Sequence, residues 1–201
     1  MGLVYAGSEI VDAGGAFVKE QRPLPANRGR VLPALLFSNF IMPSSVVMRR
    51  ECYEYAGPMR EDLWFAEDWL YWLRLAGRFP FDFVDAALVR FHRSRESASR
   101  RPLPELVAMN MRMFDLAFAD PDLGPQIAPY RALARSRAYL GYARSCLEDL
   151  DQRGARALAL RALRERPVDA WAAVVLLKTL LPKGWMRRAR RIARGRSSCN
   201  P

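Results

Sequence analysis

The sequence contains little of the chemistry that depends on cysteine and histidine. Its 201 residues include three cysteines, Cys52, Cys146 and Cys199, and a single histidine, His92. The cysteines are far apart and none belongs to a C-x-x-C pair, which argues against a structural zinc site and against a disulfide framework. A cysteine nucleophile would have only His92 as its base, and no local pattern supports such a pair.

Long apolar segments are also absent from the sequence. The longest apolar run, Ala170 to Leu177, is far shorter than the roughly 20 residues that cross a bilayer. The first residues, MGLVYAGSEIVDAGG, have neither the basic start nor the long apolar centre of a secretory signal. These absences predict a cytoplasmic location.

Lysine is scarce, and arginine supplies most of the positive charge. Only three of the 32 basic residues are lysines, and the formal net charge is +11, which favours anionic partners. Residues 185–196 (WMRRARRIARGR) have the pattern of a basic amphipathic helix. This pattern predicts peripheral contact with an anionic surface at the inner face of the cell membrane, or else a solvated terminal helix. Nucleic acid is the less favoured partner.

The chain divides into two regions that differ in residue composition and in predicted secondary structure. Residues 1–101 mix short β-like runs with short helices, and residues 102–201 are rich in Ala, Leu and Arg at helical spacing. The predicted fold class is therefore α/β, a mixed sheet with flanking helices, followed by an all-α helical-hairpin region. In the first region we predict strands at 3–5, 16–18, 39–48, 81–84 and 88–91, helices at 49–55 and 67–77, and a helix or apolar packing segment at 31–37.

Prolines mark the breaks between helices in the second region. Pro102 is suited to the first turn of a helix. Residues 137–178 resemble one and a half units of a tetratricopeptide-like repeat, although the period of about 34 residues is not repeated. The predicted helices cover 103–119, 130–149, 153–165, 168–181 and 184–194.

The clearest helix of the first region is Glu67–Gly77, EDWLYWLRLAG. Trp69, Trp72, Leu73 and Ala76 fall on one side of it and predict a buried stripe. The acidic pair at its start suits the positive end of the helix dipole. An acidic first turn is common among helices, so spacing alone favours a helix start over a catalytic site.

An ordered series of short motifs runs from Asn39 to Arg100. A strand-like SSVVMRR leads into a short helix and Gly57, and a loop with Glu61 and Asp62 follows. Next come the helix EDWLYWLRLA, the strand FDFVD, a VRF strand and a basic, serine-containing loop. This order resembles the C-terminal half of the catalytic domain of family 2 glycosyltransferases, which have the GT-A fold. With the earlier VYAGSEIVDAGGAFV, the resemblance covers about the first hundred residues.

The resemblance implies roles in an inverting transfer of a sugar from a nucleotide-sugar donor to a glycan or lipid-linked acceptor. Asp68 would be the catalytic base, and Glu67 would orient the loop or hold the acceptor. Trp64 and Trp69 would bind the acceptor, since sugar rings stack on aromatic faces, and their apolar setting would raise the pKa of the base. The residues that would serve the donor diphosphate are His92, Arg93 and Arg95.

The chain departs from the family pattern at two positions. The family's histidine after the VRF-like strand usually lies further on, where Ser94 stands here, and Leu70 stands where an acidic residue is frequent. The alternatives without a catalytic role are an exposed His92 in a basic loop, a helix cap at Glu67 and Asp68, and core packing of the tryptophans.

The family's donor-binding half carries a D-x-D motif that holds Mg²⁺ or Mn²⁺ on the diphosphate, and no such motif precedes Val4. Asp149-Leu150-Asp151 falls at a predicted helix end and Asp120-Pro121-Asp122 in a predicted loop, so no metal ligand is predicted in this chain. We therefore expect the chain to be inactive alone and to pair with a missing half or with itself. The alternative function is a helical protein-interaction module or a basic membrane-surface binding protein.

Overall fold

The structure is a computed structural model that describes residues 1–93 and 100–182. The chain forms two compact units, Met1–Arg131 and Ala132–Pro201. The first contains a mixed four-stranded sheet with helices, and the described part of the second is helical. The predicted boundary at residue 101 falls inside the first unit, because helix α4 (Leu103–Ala119) packs against helix α3 (Glu67–Ala76).

The sheet is built around β1 (Leu3–Val11). This strand pairs antiparallel with β2 (Phe17–Gln21) and with β3 (Val47–Met48). It pairs in parallel with β4 (Phe81–His92) along its whole length, with irregular register around Gly7. Most of β1 is buried, as its largely apolar sequence predicts for a strand covered on both faces.

The described sheet differs from the predicted strands in several places. β1 and β2 are longer than the strands predicted at 3–5 and 16–18. The predicted strands 81–84 and 88–91 form the single strand β4. The prediction of a strand over 39–48 is wrong for most of that range, because Pro43 begins a 3-10 helix, Pro43–Ser45, and only Val47–Met48 pairs with β1. Proline has no N–H to give to a ladder, which explains why the strand starts only after it.

The helices predicted in the first unit are confirmed at α1 (Leu32–Phe37), α2 (Arg50–Ala56), α3 and α4, and α5 (Gly124–Ile127) follows. The predicted stripe on α3 is confirmed for three members, Trp72, Leu73 and Ala76, while Trp69 is only partly buried. Leu70, Tyr71 and Leu75 are buried as well, so α3 is covered on most sides.

The second unit contains α6 (Arg131–Glu148), α7 (Gln152–Glu165) and α8 (Ala170–Lys178), close to three of the predicted helices. Fully buried alanines on α7 and α8 let these two helices approach closely: Ala155, Ala159, Ala162 and Ala172. The predicted helix 184–194 lies outside the described residues. Among those described, no helix has both the length and the apolar character needed to cross a bilayer.

Candidate functional site

The first turn of α3 places the carboxylate of Asp68 beside the side chain of Asn39. Asn39 Nδ2 donates to Asp68 Oδ2 at 3.1 Å, and the backbone N–H of Trp69 donates to Asp68 Oδ1 at 2.6 Å. Asn39 Oδ1 accepts from the N–H of Ile41 at 3.3 Å, which orients the amide. Each carboxylate oxygen therefore has a fixed partner and still keeps a lone pair for another donor.

Ala66 gives α3 its direction. Its φ of 62° and ψ of 17° are left-handed, a region that side chains other than Asn and Asp rarely adopt. Its C=O accepts from the N–H of Leu70 at 3.1 Å, so the helix starts directly from this residue. Such a conformation costs about 1–3 kcal/mol and is found most often at functional sites. Here it lies immediately before Glu67 and Asp68.

Burial raises the pKa of Asp68 above its ordinary value. The hydrogen bond from Asn39 acts in the opposite direction, and the charge of neighbouring Glu67 raises the pKa further. No lysine or arginine among the described residues forms an ion pair with Asp68. A partly buried carboxylate with a raised pKa and no cation to neutralise it is suited to accept a proton.

Trp69, the next residue in the chain, is held by a hydrogen bond and a ring contact. Its Nε1–H donates to the C=O of Leu35 at 2.7 Å, and its ring meets that of Phe114 edge to face at 5.6 Å between centroids. The side chain is only partly buried. A fixed and partly accessible indole serves the packing of α1, α3 and α4, and it is also a suitable platform for a sugar ring.

Trp64 lies in the loop before α3. The guanidinium of Arg101 lies over its ring, 4.6 Å from the centroid, and the ring of Phe65 is 6.0 Å away. One face of Trp64 is therefore covered by a cation. An acceptor sugar that stacks on Trp64 would use the opposite face.

The other acidic residues near α3 differ from Asp68 in their partners. Asp62 accepts from Arg60 at 2.8 Å and from Arg112 at 2.5 Å, which lowers the pKa of Asp62 and ties the loop to α4. Glu67 is half-buried, and its side chain makes no hydrogen bond or ion pair with any described residue. Its predicted role in orienting the loop or holding the acceptor stays a prediction.

The predicted diphosphate residues lie where β4 ends. His92 is exposed and stands opposite Val11 in the sheet. The N–H of Arg93 donates to the C=O of Val11 at 2.9 Å. Arg95, the third residue of the predicted set, lies outside the described residues.

Aromatic contacts place the Asp68 site beside the other end of β4. Phe40, which follows Asn39, lies 5.9 Å from Tyr5 between ring centroids, and Tyr5 lies 6.1 Å from Phe83 on β4. No hydrogen bond or ion pair joins His92 or Arg93 to Asp68 among the described residues. A common site for these residues stays a prediction.

Sequence reasoning missed both Asn39 and a polar cluster next to it. Arg28 Nε lies 2.7 Å from Asp82 Oδ1, and its guanidinium lies 4.7 Å from the centroid of Phe83. The hydroxyl of Tyr5 donates to the C=O of Asn27 at 3.0 Å, and burial raises the pKa of Tyr5. The partners are distant in sequence and share no motif, so no local signal could have revealed these contacts.

The described residues do not fit a divalent metal ion. Asp120 Oδ2 pairs with Arg74 Nε at 3.0 Å, and Asp122 accepts from the hydroxyl of Tyr55 at 3.2 Å. Asp151 caps α7. No three metal-binding side chains come together in the part of the chain that the structure describes. The Mg²⁺ or Mn²⁺ that the family resemblance implies has no ligand set in the described part of the chain, and we assign no step to it.

No family model matches the chain, and neither a curated protein nor a solved structure matches it. The function is therefore inferred from the chemistry of the site.

Proposed function

We propose that the first unit carries the acceptor side and the catalytic base of an inverting glycosyltransferase related to family 2, with the GT-A fold. One observation carries the proposal: Asp68 stands at the start of α3 with a raised pKa, without an ion-pair partner among the described residues, and with its carboxylate held by Asn39. This is the position that the motif order assigns to the base.

The reaction needs one proton acceptor on the acceptor side. As the acceptor hydroxyl oxygen attacks the anomeric carbon, Asp68 takes the hydroxyl proton, and the bond from that carbon to the donor's diphosphate breaks with its electron pair leaving on the phosphate oxygen. Asn39 Nδ2 and the N–H of Trp69 hold the carboxylate so that its remaining lone pairs face the hydroxyl. Trp69 and Trp64 would bind the acceptor sugar by stacking.

Donor binding is not assigned to the Asp68 site. The diphosphate role of His92, Arg93 and Arg95 stays a prediction. Because no metal–diphosphate site is present in the described residues, we expect the purified 201-residue chain to transfer no sugar by itself. Turnover of a nucleotide sugar by that chain would refute this part of the proposal.

The proposal is tested in the source cells by changing single codons. We expect Asp68→Asn to remove the same glycan or glycolipid product as deletion of the gene, at an unchanged level of the protein. Asp85→Asn is the matched control, because Asp85 is an exposed carboxylate on β4 with 70% of its side chain accessible. Glycans that deletion alters and Asp68→Asn leaves intact would contradict the role of Asp68 as the base. Glycans unchanged by deletion would contradict the transferase itself.

A second function, the binding of a partner surface, is supported by the apolar side chains exposed on α8. It belongs to the other unit and therefore does not compete with catalysis at Asp68.

A further inference from the structure

The outer side of α8 is apolar and uncovered in the described residues. Trp171 and Leu177 are each 64% exposed, Val174 is 38% exposed, and Leu181 in the turn after the helix is 44% exposed. Trp171, Val174 and Leu177 are spaced three apart and fall on one side of the helix, and Leu181 follows four residues later in the turn. These four residues are called the α8 face. Exposed apolar groups of this kind mark interaction sites more often than isolated exposed residues do.

The packing of α8 explains why this face stays open. Ala172, Val175 and Thr179 form a narrow buried side. The carboxylate of Asp169 caps the helix by accepting from the N–H groups of Trp171 and Ala172, and it is itself held by Ser136. The helix is thus fixed by one narrow side and its cap, and the α8 face takes no part in holding it.

The positive charge of the protein is concentrated next to this face along the chain. Residues 1–131 contain 16 basic and 16 acidic residues, whereas residues 132–201 contain 16 basic and 5 acidic residues and so carry the whole net charge of +11. The last 19 residues, 183–201, contribute seven of these basic residues and no acidic one. They follow Leu181 almost directly.

The pairing of an apolar face with a basic segment selects among partners. A second copy would bring the same positive charge to the contact and would be repelled. Nucleic acid would use the basic segment but would leave the aliphatic side chains in water. An anionic lipid surface offers both an acyl boundary for the α8 face and negative headgroups for the arginines.

We propose that the α8 face and the basic segment 183–201 together bind an anionic membrane surface, with Trp171 and Leu177 entering the headgroup boundary. This inference does not depend on the proposed catalytic function.

Vesicle binding by the full chain tests the proposal. We expect the protein to sediment with vesicles of phosphatidylcholine and phosphatidylserine in equal amounts, and to bind pure phosphatidylcholine vesicles far more weakly. Leu177→Gln should weaken binding about tenfold, because burying most of a leucine side chain is worth roughly 1.5 kcal/mol. Leu88→Gln is the matched control, since Leu88 on β4 is 65% exposed and lies in the first unit. It should leave binding unchanged.

The charge contribution is tested by Arg188→Gln with Arg191→Gln, which should weaken binding about fivefold for each residue and more strongly at low salt. Binding that survives Leu177→Gln but fails in the double arginine variant would overturn the role of the α8 face. Equal binding to both kinds of vesicle would overturn the requirement for anionic lipid. Absence of vesicle binding, with either dimers in analytical ultracentrifugation or binding to nucleic acid instead, would overturn the proposal as a whole.

Discussion

Replacing Asn39 with alanine tests whether its amide controls the charge of Asp68. The change removes the 3.1 Å hydrogen bond to the carboxylate and the 3.3 Å bond from the N–H of Ile41. Because a hydrogen bond to a charged group contributes about 1.5–3 kcal/mol, we expect the free energy of unfolding of the first unit to fall by about 2 kcal/mol at neutral pH. With Asp68→Asn already present, both partners are neutral and the loss should be about 1 kcal/mol.

Urea denaturation followed by tryptophan fluorescence measures this difference. Trp171→Phe and Trp185→Phe in the background leave only the three tryptophans of the first unit, Trp64, Trp69 and Trp72. The double-mutant cycle should give a coupling energy of about 1 kcal/mol between Asn39 and Asp68, while Asn39→Ala with the exposed Asp85→Asn should be additive within about 0.5 kcal/mol. If the effects of Asn39→Ala and Asp68→Asn on the free energy of unfolding were also additive, the inferred coupling between the two side chains would be refuted.

The same substitution should change the pH dependence of transfer in the active system. The hydrogen bond from Asn39 lowers the pKa of Asp68, so its loss should raise that pKa further. The acidic limb of the pH–activity profile should then move to higher pH, because the base must be ionised to accept a proton. An acidic limb that stays in place would show that Asp68 does not set it.

Three further changes test the electrostatics and packing around the site. Asp68→Asn should make the first unit more resistant to urea at neutral pH, because the raised pKa means that ionised Asp68 is less stable in the folded state than in the unfolded chain. This gain in stability should vanish as the pH falls below about 4, where the carboxyl group is protonated in both states. A loss of stability at neutral pH would contradict burial as the main cause of the raised pKa. Arg74→Ala should lower the free energy of unfolding by about 2–3 kcal/mol, because it leaves Asp120 and the C=O of Ala56 without this donor. Arg90→Ala, at an exposed ion pair, is the control and should change the free energy of unfolding by less than about 0.5 kcal/mol. Equal losses in the two variants would count against a special role of Arg74. Gly7→Ala should destabilise the sheet by about 1–3 kcal/mol in the same assay, because an added Cβ would lie 2.8 Å from the C=O oxygen of Gln21, whereas Gly14→Ala, with its nearest atom at 3.4 Å, should have little effect.

Local features of the fold could be predicted from the sequence because local physics decides them. The helix periodicity and the flanking Gly77 and Pro102 indicated α3 and α4. The apolar run Ala170 to Leu177 was different, because a continuous run indicates burial without saying on how many sides. Among residues 1–93 and 100–182, only one narrow side of α8 is covered. Tertiary packing, which the sequence pattern does not contain, decides this.

The candidate site could be predicted only in part. Asp68 was indicated by the motif order around it, and its helix start was confirmed. The contact with Asn39 joins residues far apart in the chain, and it depends on the loop that Pro43 interrupts, for which the prediction was wrong.

Ala66 divides the chain into a part that is free to vary and a part that is not. An inserted residue just after Ala66 would rotate every following side chain of α3 by about 100°, and Asp68 would lose its bond to Asn39. Insertions in residues 57–60, ahead of Asp62 and its contact with Arg112 on α4, would be absorbed before this joint and would leave the helix where it is. With Asp68 as the base, insertions and substitutions in that loop can change which acceptor hydroxyl is bound while the Asp68 carboxylate keeps its position beside Asn39.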